Sequence, residues 1–134
     1  MTDEPFLTRE QCYARAVYNQ VRPLIDKSDK ERKAYGSLAH KLPVLIRTSG
    51  LAQALAFVKA RNQEETPQQQ LLKDLEVVLR ANGALAQNAR LTDQSRNADF
   101  EEYMRLTEAA LQALLWFKRF AQSELKVESG TEAE

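Results

Sequence analysis

The sequence predicts an all-α protein, a single-domain bundle of five or six helices. Three observations carry this. Apolar residues recur at helical spacing along most of the chain, and no stretch alternates with the period of a strand. Residues that start and stop helices stand at the ends of the periodic stretches. With 134 residues and 43% hydrophobic content, the chain can bury one core and has little room for a second.

Thr8 with Gln11 three positions on forms a capping-box pattern, opening a helix that lines up Tyr13, Val17, Val21 and Leu24. Pro23 is expected to kink or end it. A second helix begins near Asp29 and spaces Tyr35, Leu38, Leu42 and Leu45 along one face. Pro43 is expected to interrupt it, having no N–H and a ring that presses on the carbonyl of residue 39. Gly50 permits a C-cap or tight turn before LAQALAFVKAR, where Leu51, Leu55 and Val58 form the next stripe.

Thr66–Pro67–Gln68–Gln69 is the clearest helix start in the chain, with an N-cap threonine and a proline at the first helical position. Leu71, Leu75, Val78 and Leu79 form its buried face, and Asn82–Gly83 stops it. ALAQNARLTDQSRNA reads as a loop plus a short helix. A long helix from about Asp99 to about Leu125 closes the domain. The helical domain is expected over residues 1–126, and VESGTEAE, residues 127–134, as a disordered acidic tail.

Lysine and arginine total 19, as do aspartate and glutamate, so bulk charge does not mark a basic nucleic-acid binder. The distribution is uneven. Residues 32–63 hold Arg32, Lys33, Lys41, Arg47, Lys59 and Arg61 and no acid, while the C-terminal half is acidic. Such a segment suits contacts with a phosphate backbone, where each neutralised phosphate releases counterions. It also suits several solvated helix faces. At about 100° per residue, Lys59 and Arg61 fall on opposite flanks of the Leu51/Leu55/Val58 stripe.

His40, the single histidine, sits in SLAHKL. Histidine phosphotransfer domains resemble this locally, with leucine two positions after the histidine followed by lysine and glycine. Here Pro43 and Val44 take the lysine and glycine positions, so a structural His40 is the better reading. Asp99, Glu101, Glu102 and Glu108 suit the positive end of the last helix dipole without any catalytic role. No hydrolase, nucleotide-binding or zinc-protease motif occurs. Cys12, the lone cysteine, permits neither an internal disulfide nor a cysteine-based metal cluster. No enzyme, cofactor or metal is expected. No apolar run approaches the roughly 20 residues of a membrane span, and MTDEPFLTRE lacks a signal-peptide pattern, so a soluble cytoplasmic protein is expected.

The closing helix has two apolar sides. Phe100, Met104, Leu111, Leu114 and Leu115 share one stripe; Ala109, Ala113, Trp116 and Phe120 fall roughly opposite. Such a helix is either central in the bundle or offers Trp116 and Phe120 to a partner.

Two blocks resemble one family. Tyr35, Leu42–Pro43, Ile46, Gly50–Leu51, Phe57 and the Lys59/Arg61 end resemble the signature of the small α-helical subunit of the type III-B CRISPR effector, the Cmr RNA-targeting complex. Tyr103, Thr107, Glu108, Ala109, Trp116, Lys118, Arg119 and Phe120 match that family's closing helix in register. Together the blocks span about residues 9–125. The resemblance implies a non-catalytic antiviral-defence subunit that packs beside copies of itself along the crRNA-bearing backbone, next to a large subunit. It also implies a basic face toward the guide–target RNA duplex. Lys41, Arg47, Lys59 and Arg61 are the expected RNA contacts, with Lys118 and Arg119 joining if the helices pack that way. A purely structural helical module remains the alternative.

Overall fold

The computed structural model describes residues 6–61 and 66–130, and these fold as six α-helices with one 3-10 turn. They are α1 (Arg9–Val21), α2 (Asp29–Ser49), α3 (Leu51–Arg61), α4 (Pro67–Ala81), α5 (Leu91–Asn97) and α6 (Phe100–Ser123). The local signals act as expected. Thr8 and Gln11 form a reciprocal capping box, with Gln11 N–H donating to Thr8 Oγ1 at 3.1 Å and Thr8 N–H to Gln11 Oε1 at 2.8 Å. Pro23 lies in the 3-10 turn Arg22–Asp26 that follows α1. Ser28, Thr66 and Asp99 cap α2, α4 and α6 by accepting backbone N–H groups.

Pro43 does not interrupt α2. The helix continues through it to Ser49, and Pro43 itself is buried. A proline inside a helix costs about 3 kcal/mol. Leu38, Leu42 and Ile46, on either side of it, are all buried, and each returns roughly 1.5–3 kcal/mol for that burial. Packing therefore outweighs the missing hydrogen bond.

Helices α2 and α4 form the centre: each packs on both α3 and α6, and α1 closes over α4 and α6. The core joins Tyr35 and Leu42 of α2, Leu51 and Leu55 of α3, Leu71, Leu75 and Leu79 of α4, and Leu106, Leu114 and Phe117 of α6. Helices α2 and α6 run antiparallel, because Gly50 lies against Tyr103 at one end and Gly36 against Val127, just past α6, at the other.

The C-terminal segment corrects the expected boundary at residue 126. Val127 is buried, its N–H donates to Ala121 O at 2.9 Å, and its side chain fills the space over Gly36. Residues 131–134 of the expected tail lie outside the described residues.

Candidate nucleic-acid interface

Two short helices build a basic outer surface, and each is fixed by one polar group. Gly50 adopts φ +88° at the α2–α3 corner, and its N–H donates to Ile46 O at 2.8 Å. The start of α3 is then tied to α6, where the Ala52 N–H donates to the Tyr103 hydroxyl at 3.1 Å. Helix α5 has no side-chain cap of its own from Arg90. Glu76 of α4 supplies one instead: its Oε2 accepts the Leu91 N–H at 2.7 Å and Arg90 Nε at 3.2 Å. Arg80 approaches the other Glu76 oxygen at 3.6 Å and donates to Ala89 O at 2.7 Å, so the loop into α5 is held on both sides.

These anchors set α5 against the outer side of α3. Between them runs a groove of about 350 Å³, floored by Ala52, Ala56 and Ala60 one turn apart and rimmed by Lys59, Thr92 and Arg96. On its other side Lys59 shares a recess with Lys73 of α4 and with Arg90. Arg90 and Arg96 keep most of their side chains exposed (61% and 63%) while pairing with Glu76 and Asp93. A guanidinium carries five donors, so each retains N–H groups for a further acceptor. Across the outer surface of α3, the Arg61 guanidinium lies 5.4 Å from the centre of the Phe57 ring, and that residue is 47% exposed.

The expected contact residues divide into groups. Lys59 and Arg61 are exposed on opposite edges of the outer surface of α3, as the helical arithmetic anticipates. Arg47 is exposed in the last turn of α2, just before the corner. Lys41 is exposed next to His40. Lys118 is partly buried and Arg119 exposed near the end of α6. The packing does not bring Lys118 and Arg119 to the α3 surface. They lie about 22 Å along the axis from Tyr103, where α6 meets the start of α3. Lys73, Arg90 and Arg96 carry no signal as contacts in the sequence. They come from the acidic half of the chain, and only the fold of α4 and α5 brings them to Lys59.

Trp116 and Phe120 are partly buried, their rings 5.6 Å apart, with Tyr18 of α1 edge-on to Phe120 at 5.4 Å. The outward apolar residues of α6 are instead Phe100, Met104 and Leu115. The buried side of α6, including Leu106, Ala110, Ala113, Leu114 and Phe117, draws on both expected stripes, Leu114 from one and Ala113 from the other. His40 is 7% exposed and its Nε2 lies 2.9 Å from Val127 O. A carbonyl only accepts, so Nε2 carries the proton and the imidazole serves as a tie to the C-terminal segment. No described residues gather three or more His, Cys, Asp or Glu side chains in a metal-holding group, and no described helix is long and apolar enough to cross a membrane.

Fold and site together define a small all-α protein with a cation-rich groove on its outer side. The family model for CRISPR-associated protein (Cas_Cmr5) matches residues 9–124. The CRISPR system Cmr subunit Cmr5 of Thermus thermophilus is 40% identical over 116 residues, covering 87% of this chain and 95% of that protein. The crystal structure of a CRISPR-associated Cmr5 family protein from Thermus thermophilus superposes with a TM-score of 0.75 at 38% identity, covering 90% of this chain and 99% of the other. The chain belongs to the Cas_Cmr5 family, and the resemblance to the small helical Cmr subunit is borne out.

Proposed function

We propose that this protein is a non-catalytic subunit of a cytoplasmic Cmr complex, packed beside other subunits and copies of itself, and that it contacts the crRNA–target RNA duplex through the α3–α5 surface. Membership of the Cas_Cmr5 family supports the assembly. Lys59 and Arg96 on the rim of one alanine-floored groove, with Arg90 in the recess on the other side of Lys59 and Arg61 over an exposed Phe57, carry the RNA contact. Small alanine side chains let a backbone approach α3 closely, cations on the rim neutralise phosphates, and none of this reads base identity. Many subunits along one duplex would each add a few phosphate contacts, which fits a chain of zero net charge.

The test is RNA retention by the reconstituted complex at several salt concentrations. Replacing Lys59, Arg61 and Arg96 together by Gln is expected to weaken retention about equally for unrelated sequences. The slope of log affinity against log salt should fall by up to roughly 0.9 for each phosphate no longer neutralised, multiplied by the number of subunits engaged. An unchanged slope would remove this surface from the RNA contact. The matching change at Lys118 and Arg119 is expected to have the smaller effect.

A further inference from the structure

A second cleft, of about 240 Å³, opens where the start of α1, the turn after α4 and the middle of α6 meet. Arg9 and Tyr13 line one side, Asn82 and the open Gly83 turn the end, and Arg105, Glu108 and Gln112 the α6 side. The three α6 residues share one helix face by their spacing. Neither Arg9 nor Arg105 has a hydrogen-bond or ion-pair partner among the described residues. Tyr13 is buried, and burial pushes its hydroxyl pKa up; Arg9 pulls it down and Glu108 pushes it up again. Both charges therefore act at the same hydroxyl.

The cleft thus holds two uncommitted guanidiniums, one carboxylate, and amide and hydroxyl groups able to donate or accept. Two guanidiniums facing one space favour a planar anion held by paired N–H donors. The single Glu108 then selects among anions. A nucleic-acid strand carries one charge on every nucleotide, roughly every 3.4 Å of axis in a duplex, and would press further phosphates toward Glu108. A protein segment brings one carboxylate with backbone N–H groups beside it, which suit Glu108, Asn82 and Gln112. We propose that this cleft receives an aspartate or glutamate side chain from a segment of a neighbouring protein. The carboxylate lies between Arg9 and Arg105, and a peptide N–H of the same segment donates to Glu108. The site is separate from the α3–α5 surface, since it uses α1, the end of α4 and α6, so it stands or falls independently of the RNA contact.

Side-chain NMR of the isotope-labelled full-length chain tests this with three probes: N-acetyl-glutamate N-methylamide, inorganic phosphate and an oligouridylate. The glutamate probe is expected to shift the Arg9 and Arg105 guanidinium signals saturably, and at lower concentration than either phosphate probe. The double variant R9Q/R105Q, at two exposed positions, should abolish the saturable shifts with the amide spectrum of the core unchanged. Glu108→Gln should erase the preference for the glutamate probe over the oligonucleotide. The proposal is overturned if phosphate or oligouridylate moves these signals first. It is equally overturned if no probe moves them, or if the response survives R9Q/R105Q.

Discussion

The Tyr35 hydroxyl donates a 2.6 Å hydrogen bond to Asp74 Oδ2 inside the bundle, joining α2 to α4 across 39 positions of sequence. Both side chains are buried, and Gln70 Nε2 donates to the second Asp74 oxygen at 2.7 Å. A buried carboxylate without donors is costly, so these two bonds are what allow α4 to present an acid to the core. Tyr35→Phe keeps the ring and removes one donor. The expected loss is roughly 1.5–3 kcal/mol of unfolding free energy, measured by urea denaturation at neutral pH. A change within about 0.5 kcal/mol, the range of an ordinary surface substitution, would mean that the bond does not hold α2 to α4.

The same carboxylate should make stability depend on pH. Burial raises the Asp74 pKa above its ordinary value of 3.8, and the hydrogen bonds from Tyr35 and Gln70, with the charge of Lys73, only partly oppose this. The folded protein therefore holds a proton at pH values where the unfolded chain has released it. The stability linked to Asp74 is greatest below pH 3.8 and is lost as pH rises through the higher folded pKa. Asp74→Asn removes this titration. Denaturation of both proteins from about pH 3.5 to 7 should show wild-type stability falling relative to D74N as pH rises, then levelling off. A wild-type protein that instead gains on D74N as pH rises would reverse the assignment.

Much of this fold is legible because its signals are local. Thr8, Thr66, Asp99 and Gly50 act through groups one to four residues away, so the order and ends of the helices can be read from neighbours in sequence. Pro43 misleads because its cost is local while the compensating burial of Leu42 and Ile46 is tertiary. The candidate site divides the same way. Lys59 and Arg61 stand in a visibly basic segment, but Arg90 and Arg96 owe their placement to the Glu76 carboxylate, 14 and 15 positions from the groups it holds. Periodicity alone also leaves open which apolar side of α6 faces outward, because that depends on where α1 and α2 lie.

Gly36 is present because Val127 occupies the place of its side chain. A Cβ built there would lie 2.6 Å from Val127 Cβ and 2.8 Å and 2.9 Å from its two methyl carbons. In an open helix, Gly→Ala would stabilise by about 1 kcal/mol. Here the overpacking, about 1–3 kcal/mol, is expected to win, expelling Val127 and breaking its contact with His40. Gly36→Ala should therefore destabilise the protein in its native background and stabilise it in a Val127→Gly background. Thermal or urea unfolding of the four proteins reads this change of sign, and the same sign in both backgrounds would refute the steric account.

The two apolar sides of α6 should respond differently to mutation. Trp116 packs on Phe120, which meets Tyr18 of α1, so part of its ring belongs to the bundle. Trp116→Ala is expected to cost about 1–3 kcal/mol, less than the roughly 3–5 of a fully buried aromatic, because the ring is only partly covered. Met104 and Leu115 are 52% and 48% exposed. Replacing both by glutamate should leave the unfolding free energy of the isolated chain within about 1 kcal/mol. If copies of the chain pack beside one another through this side of α6, the glutamates bury like charges at the contact and lower self-association and recovery in the complex. Sedimentation of the isolated chain and its yield in purified complexes separate the two roles. Loss of assembly in W116A at full stability, with M104E/L115E assembling normally, would return the interface to Trp116 and Phe120.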